Sequence, residues 1–320
     1  MQKSEGIRKN TKYLTIAKSP KPGVRNENLT FSGKKSPVIS RDKSPSNFIR
    51  KNQKSKTYNM GNVSLPFTSM VRSSVKTFQN PEFRDYMEDI PVTIHGYLKE
   101  PTKHLFCIFD GHGGDASAKI CSVFFPDMFG RLLKEFASNI ESCLKKTFAK
   151  MDIETKKKNC ITVGNTATVV YICNKLLFCA NVGDSSCVLV SKDGAKMISV
   201  DHKCTEPSEI KRMTAAGGHV FDERLEGQLA ISRAIGDHDL KDKGLIAEPH
   251  IYKTLITEND RFCVLASDGI WDVMNEKDIY EICKGENNTD ILVEKIVNEA
   301  IERGSEDNIS CIVVTFNNNK

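Results

Sequence analysis

The chain has 320 residues, 39% hydrophobic and 27% charged, with a formal net charge of +5. That is the composition of a globular protein with room for a sizeable core, neither collagenous nor wholly disordered. No apolar run approaches the ~18 residues of a membrane span, and the N-terminus MQKSEGIRKN lacks the apolar stretch of a secretory signal.

Residues 1–60 stand apart from the rest. They carry 15 Lys and Arg against three acidic residues, and only 15 of the 60 are hydrophobic. Such a segment buries too little apolar surface to offset the entropy of ordering, and reads as a basic, Ser/Pro/Lys-rich disordered tail. Lys-Ser-Pro occurs in it three times, at Ser19, Ser36 and Ser44, each a proline-directed phosphorylation candidate. The remaining 260 residues hold 31 basic and 38 acidic side chains, so no basic nucleic-acid-binding face is implied. Residues 61–320 are expected to form the folded domain.

From Val71 onward, short β-branched runs at 104–109, 166–173, 176–182, 186–191, 261–266 and 309–316 predict strands. Helical periodicity appears at about 115–125, 131–149, 206–216, 275–284 and 290–303. The three runs between 166 and 191 read as a meander. Antiparallel sheets covered by helices, an α+β layered architecture, are therefore expected over a doubly wound parallel sheet. The eleven cysteines include no Cys-x-x-Cys pair, and several lie inside apolar runs, among them Cys107, Cys173, Cys179 and Cys311. They read as buried thiols of a reducing compartment, which places the protein in the cytoplasm or nucleus.

The informative pattern is where carboxylates fall. Asp110, Asp184 and Asp268 each end an apolar run, Asp307 precedes the last one, and Glu88-Asp89 sits in the turn-rich stretch RDYMED. A single strand-end Asp is ordinarily a turn or helix cap. Several brought together repel one another unless cations neutralise them. An all-oxygen set selects a hard ion such as Mg²⁺ or Mn²⁺ over zinc. Gly111, beside Asp110, lets its own carbonyl approach such an ion closely. His112 follows as a candidate proton donor, and Arg84 as a cation able to clamp a phosphate.

These segments resemble, in order, the motifs of the metal-dependent protein serine/threonine phosphatases of type 2C (PPM): RDYMED (84–89), FDGHGG (109–114), GNTA (164–167), ANVGDS (180–185), DHK (201–203), AAGGHV (215–220), LAISRAIGD (229–237), ASDGIWD (266–272) and EDNIS (306–310). The resemblance implies a central antiparallel β-sandwich of two sheets flanked by helices, a four-layer α-β-β-α fold with a two-metal site at one end. It implies that Asp110 bridges two Mg²⁺ or Mn²⁺ ions. Asp268 and Asp307 would complete one ion's ligands, and Glu88 with the Gly111 carbonyl would serve the other. Asp89 would orient metal-bound water, and Asp184 and Asp272 match positions that hold a weaker third ion in some members. Arg84 would bind the substrate phosphate and His112 would act as general acid. The segment between Gly218 and Leu229 would form a flap near the site. Phe83, Ser186 and Cys204 depart from the common pattern without removing any of these groups.

The implied reaction is hydrolysis of phosphoserine or phosphothreonine monoesters in protein substrates by a hydroxide bridging two ions. No Cys-x₅-Arg loop of the thiol phosphatases is present. Two other readings are a catalytically inactive phosphatase-like scaffold and a different two-metal hydrolase, such as a phosphodiesterase. The first usually loses metal carboxylates that this chain retains; for the second, a nucleic-acid substrate wants a basic groove that an acidic body does not supply. A monomer is the default expectation.

Overall fold

The computed structural model describes residues 71–136 and 139–316. The tail, its three Lys-Ser-Pro sites and the proposed boundary at residue 60 lie outside the described residues. The chain begins with β1 (Arg72–Phe78), β2 (Ile90–His95), β3 (Lys103–Phe109) and the two-residue β4 (Gly111–His112). Two helices follow, α1 (Ala116–Glu135) and α2 (Ile140–Lys157), and then β5 (Gly164–Asn165), β6 (Ala167–Cys173) and β7 (Leu176–Val182). Next come β8 (Ser186–Ser191), β9 (Gly194–Met197), α3 (Pro207–Ala215), and the short strands β10 (Val220–Phe221), β11 (Arg224–Leu225) and β12 (Ile235–Gly236). The chain closes with β13 (His250–Leu255), β14 (Asp260–Ala266), α4 (Asp268–Trp271), α5 (Glu276–Cys283), α6 (Thr289–Glu302) and β15 (Ile309–Thr315).

Two five-stranded antiparallel sheets result, in the orders β1-β15-β14-β8-β9 and β13-β7-β6-β3-β2. Their central strands are apolar throughout because both faces are covered. In β3, Leu105, Cys107 and Phe109 pack with Phe125, Phe129 and Phe148 of α1 and α2. The alternate residues Phe106 and Ile108 meet Cys187, Leu265, Ile312 and Val314 of the facing sheet. The opposite face of that second sheet, through Val188, Val264 and Val313, packs on Ile279, Leu292 and Ile296 of α5 and α6. The order is thus helices, sheet, sheet, helices, the layered sandwich that the sequence led us to expect.

Two expectations are corrected. The runs at 166–191 do not form one meander: β6 and β7 pair as a hairpin, but β8 joins the opposite sheet. Gly183, at φ 88°, turns the chain across the gap between sheets. The helix expected at 131–149 is two helices. Here α1 runs through Pro126, whose carbonyl accepts a hydrogen bond from the Tyr97 hydroxyl, and Asn139 starts α2 by accepting from Ser142 N–H at 2.8 Å.

Outside the sandwich, α3 and the β10–β11 hairpin form a small lobe around Cys204, Met213, Leu225, Ile231 and Leu245. It is tied down by Glu209, which is 5% exposed. Arg233 donates to both of its carboxylate oxygens (3.1 and 2.6 Å), and Arg212 and Ser232 donate to Oε2 at 2.5 and 2.7 Å. Burial alone would raise its pKa; the donors from Arg233, Arg212 and Ser232 outweigh burial and hold it at about 2. All eleven cysteines lie among the described residues and are free thiols. Among the described residues no helix is long and apolar enough to cross a membrane.

Because the Glu209 pKa is depressed, its contribution to stability is present above its ordinary value of 4.5 and lost as pH falls from there toward about 2. Glu209→Gln leaves two guanidinium groups short of a charge, and is expected to cost roughly 3 kcal/mol at neutral pH. The deficit relative to the parent shrinks below pH 4, which thermal melts across pH will read.

A carboxylate-lined candidate active site

Each carboxylate is delivered by the end of a strand. Asp110 follows β3; β4 then pairs with β5, and β5 with β12, so that Gly111, His112 and Gly164 lie side by side with Asp237 just beyond. Glu88 and Asp89 lead into β2, and the Glu88 carbonyl accepts from Gly111 N–H at 3.3 Å. Asp184 occupies the crossing between sheets, Asp268 opens α4 at the end of β14, and Asp307 leads into β15. Asn308 fastens two of these loops: its side chain accepts from Glu88 N–H (2.8 Å) and donates to the carbonyls of Gln79 and Tyr86.

Glu88, Asp110, Asp184, Asp268 and Asp307 line one cavity of about 250 Å³, together with Arg84, Gly111, His112 and Arg224. Asp89 lies beneath it, 4% exposed. Asp89 Oδ2 accepts from the Ser267 hydroxyl at 2.8 Å, while its Oδ1 is buried without a hydrogen-bond partner. Asp272 opens instead onto an adjoining cleft of about 550 Å³ with Phe83, Arg84 and Asp307. Of the residues singled out in the sequence, all but Asp89 and Asp272 therefore share one cavity wall.

Crowding these anions together is unfavourable. Burial, and then the charges of Asp268, Asp89, Asp184 and Asp307, push the Asp110 carboxyl well above its ordinary value. Burial, and then Asp184, Asp307, Asp272 and Asp89, do the same to Asp268. Burial raises Asp89 and Asp184 to about 6, and raises Glu88 and Asp307 as well. By exposed area Asp110 and Asp268 are only half-buried. The crowding is thus by protein atoms around a mouth that solvent still reaches.

Present contacts relieve part of the repulsion. Arg84 forms an ion pair with Asp307, Gly114 N–H donates to Glu88 Oε1 at 2.6 Å, and the Ser185 hydroxyl donates to Asp110 Oδ2 at 3.1 Å. Lys203 pairs with Asp272 at 3.5 Å, and Asp184 lies within its field. As the side chains stand, no three His, Cys, Asp or Glu among the described residues are grouped to hold a metal ion. The donor set nonetheless fits hard divalent ions: it is all oxygen and strongly anionic, and directly beneath it lies the buried, unpartnered Oδ1 of Asp89. Glu88 Oε1 is engaged by Gly114 and Asp307 Oδ2 by Arg84, which leaves Glu88 Oε2 as a further donor to an ion.

Sequence reading missed two residues. Asp237, 4% exposed, places Oδ2 at 2.7 Å from His112 Nε2 and fixes that imidazole on the cavity wall. A Cβ on Gly164 would overlap both His112 and Asp237, so only glycine admits the pair. Asp237 ends the LAISRAIGD segment, but its distance of 125 residues from His112 gave no pairing signal. Arg224, from the β10–β11 hairpin, adds a second guanidinium to the cavity. Its position confirms that the segment between Gly218 and Leu229 reaches the site.

Comparison with known proteins agrees with this geometry. Residues 73–309 match the family model for Protein phosphatase 2C. "Probable protein phosphatase 2C 52" of Oryza sativa subsp. japonica is 36% identical over 245 residues, covering 74% of this chain and 49% of the relative. "Probable protein phosphatase 2C 59" of the same plant is 34% identical, covering 74% of each. Among solved structures, a "C.elegans sex determining protein" superposes with a TM-score of 0.71 at 26% identity, covering 78% of this chain and 65% of that one. The chain belongs to the protein phosphatase 2C family, whose general chemistry is metal-dependent dephosphorylation of serine and threonine. It spans about half the length of the first of these relatives.

Without metal, each ionised carboxylate opposes its neighbours. Asp268→Asn is therefore expected to stabilise the metal-free protein at neutral pH by about 1 kcal/mol, a rise in Tm of roughly 2–4 °C. The gain should vanish as pH falls below the ordinary carboxyl value of 3.8, where this group is neutral in the unfolded chain as well; calorimetry in a chelating buffer at both pH values reads it.

Proposed function

We propose that this chain is a metal-dependent protein phosphatase hydrolysing phosphoserine and phosphothreonine monoesters, with two Mg²⁺ or Mn²⁺ ions at the carboxylate cavity. The observation that carries the reading is the convergence of Glu88, Asp110, Asp268 and Asp307 on one cavity whose wall also holds Arg84 and His112. Asp110, Asp268 and Asp307, with Glu88 and the Gly111 carbonyl, would hold the ions. When bound, they supply a deprotonated water as nucleophile and counter-charge for the phosphate.

The chain's own groups do the rest. Arg84, once released from Asp307, binds the equatorial phosphate oxygens and lines the scissile P–O bond up for in-line attack. His112 protonates the departing seryl or threonyl oxygen, a contribution typically worth ~10²–10⁴ in rate. Asp237 holds His112 toward the cavity through its 2.7 Å contact. Asp89, through Ser267, braces the loop that presents Asp268 and offers its free oxygen beneath the cavity. A third, weaker ion at Asp184 and Asp272 would have to compete with Lys203 for the same charge.

The partners are phosphorylated proteins, and the cavity mouth takes a phosphorylated side chain with no covalent phosphoenzyme. Eleven free thiols support a cytoplasmic or nuclear location. The proposed state is a monomer.

Chelation should abolish phosphate release from a phosphothreonine peptide, and added Mn²⁺ or Mg²⁺ should restore it. His112→Ala should lose about 10²-fold or more on the peptide but far less on p-nitrophenyl phosphate, whose leaving group needs little protonation. Equal losses on both would remove the acid role. A folded, metal-replete protein inactive on every monoester would return the scaffold reading, and preference for bis-p-nitrophenyl phosphate would return the phosphodiesterase.

A further inference from the structure

At the end of the sandwich remote from the carboxylates, two imidazoles face each other. In the β2–β3 pairing, Ile90 lies opposite Phe109 beside the active site, whereas His95 lies opposite His104 five residues away along the strands. Their Nδ1 atoms stand 3.2 Å apart with the rings inclined at 74°. Ser73 of β1, in the other sheet, places its hydroxyl 2.8 Å from His95 Nε2. His104 is 3% exposed, and its Nε2 is buried without a hydrogen-bond partner. Both rings line a cleft of about 830 Å³, shared with Arg72, Asn288 and Asp290.

We propose that His95 and His104 form a second metal site, taking a borderline transition-metal dication such as Zn²⁺ through both Nδ1 atoms. Two nitrogens each about 2.0–2.1 Å from one tetrahedral ion stand about 3.3 Å apart, close to the separation seen here. The outer nitrogen of His95 has the partner such a site requires. Ser73 Oγ can accept from His95 Nε2–H, and with His104's hydrogen on its buried Nε2 both Nδ1 lone pairs are free to bind. In the metal-free protein two bare lone pairs at 3.2 Å would repel, so one Nδ1 carries a proton shared with the other. Metal binding replaces that hydrogen bond, and His95 changes tautomer toward Ser73 with no net loss of a proton. Burial lowers both imidazole pKa values, to about 4 for His104, so the rings are in the neutral, ligating form at pH 7. His95 is solvent-exposed, which gives an ion entry, and waters in the cleft complete its shell. Arg72 and Asp290, of opposite sign, leave the wall near neutral. Imidazole donors distinguish this site from the all-oxygen cavity, so the two select different metals.

The test is calorimetric titration of Zn²⁺ into the full chain under saturating Mg²⁺, with Co²⁺ absorption as a second readout. One saturable ion is expected, with Co²⁺ bands of nitrogen and oxygen ligation and no thiolate charge-transfer band. Affinity should fall about tenfold or more in both His95→Gln and His104→Gln. His104 is buried, so if its variant fails to fold the exposed His95→Gln carries the test alone. No saturable Zn²⁺ binding, a thiolate band, or parental affinity in folded His95→Gln would overturn the proposal.

Discussion

Asp110 and Asp268 carry charge where their surroundings oppose it, and Asp89, Asp184, Glu88 and Asp307 are raised in the same direction. Mutual repulsion of this kind is a standing cost in the metal-free fold, and it is tolerated because the rest of the molecule over-determines the positions of these side chains. In the function proposed for this site, the same cost becomes affinity for doubly charged ions, which convert repulsion into attraction. Arg84 on Asp307 and Lys203 on Asp272 are the fold's internal counter-charges, each of them displaceable.

The sandwich supplies that rigidity. Central strands covered on both faces hold their ends in place, and the loops that leave them converge at one end of the two sheets. Buried polar side chains then fasten loop to loop. Asn308 joins the approach to β15 to that of β2, Ser267 ties Asp89 to the start of α4, and Asp237 anchors His112 across the β4–β5–β12 ribbon. Gly164 is the point of closest approach, where a single methyl group would part His112 from Asp237. The opposite end of the same strands carries the His95–His104 pair, so one sandwich presents oxygen donors at one end and nitrogen donors at the other.

Much of this was legible in the residues, and unevenly so. The central strands announced themselves because burial on both faces makes them continuously apolar, as in HLFCIF and FCVLA. The edge strands β1 and β13 did not: RSSVKTF and HIYKTL hold only half-buried and exposed positions, with no fully buried residue, and their polar residues resemble loop. The switch of β8 into the second sheet left only Gly183 as a sign, and a lone glycine before Asp-Ser is equally a hairpin turn. Candidate ligands were legible because an anion at the end of an apolar run is costly unless something uses it. Asp237 and Arg224 were not, because their roles depend on distances through space that no local pattern encodes.

The central claim is that the carboxylate cavity exists to hold a pair of hard divalent ions. Electron paramagnetic resonance of the chelator-stripped chain titrated with Mn²⁺ tests it most directly. Two ions should bind with the spin-coupled signature of close neighbours, and Asp110→Asn should abolish the coupling while the protein stays folded. Saturation without coupling, or unchanged coupling in that variant, would contradict it.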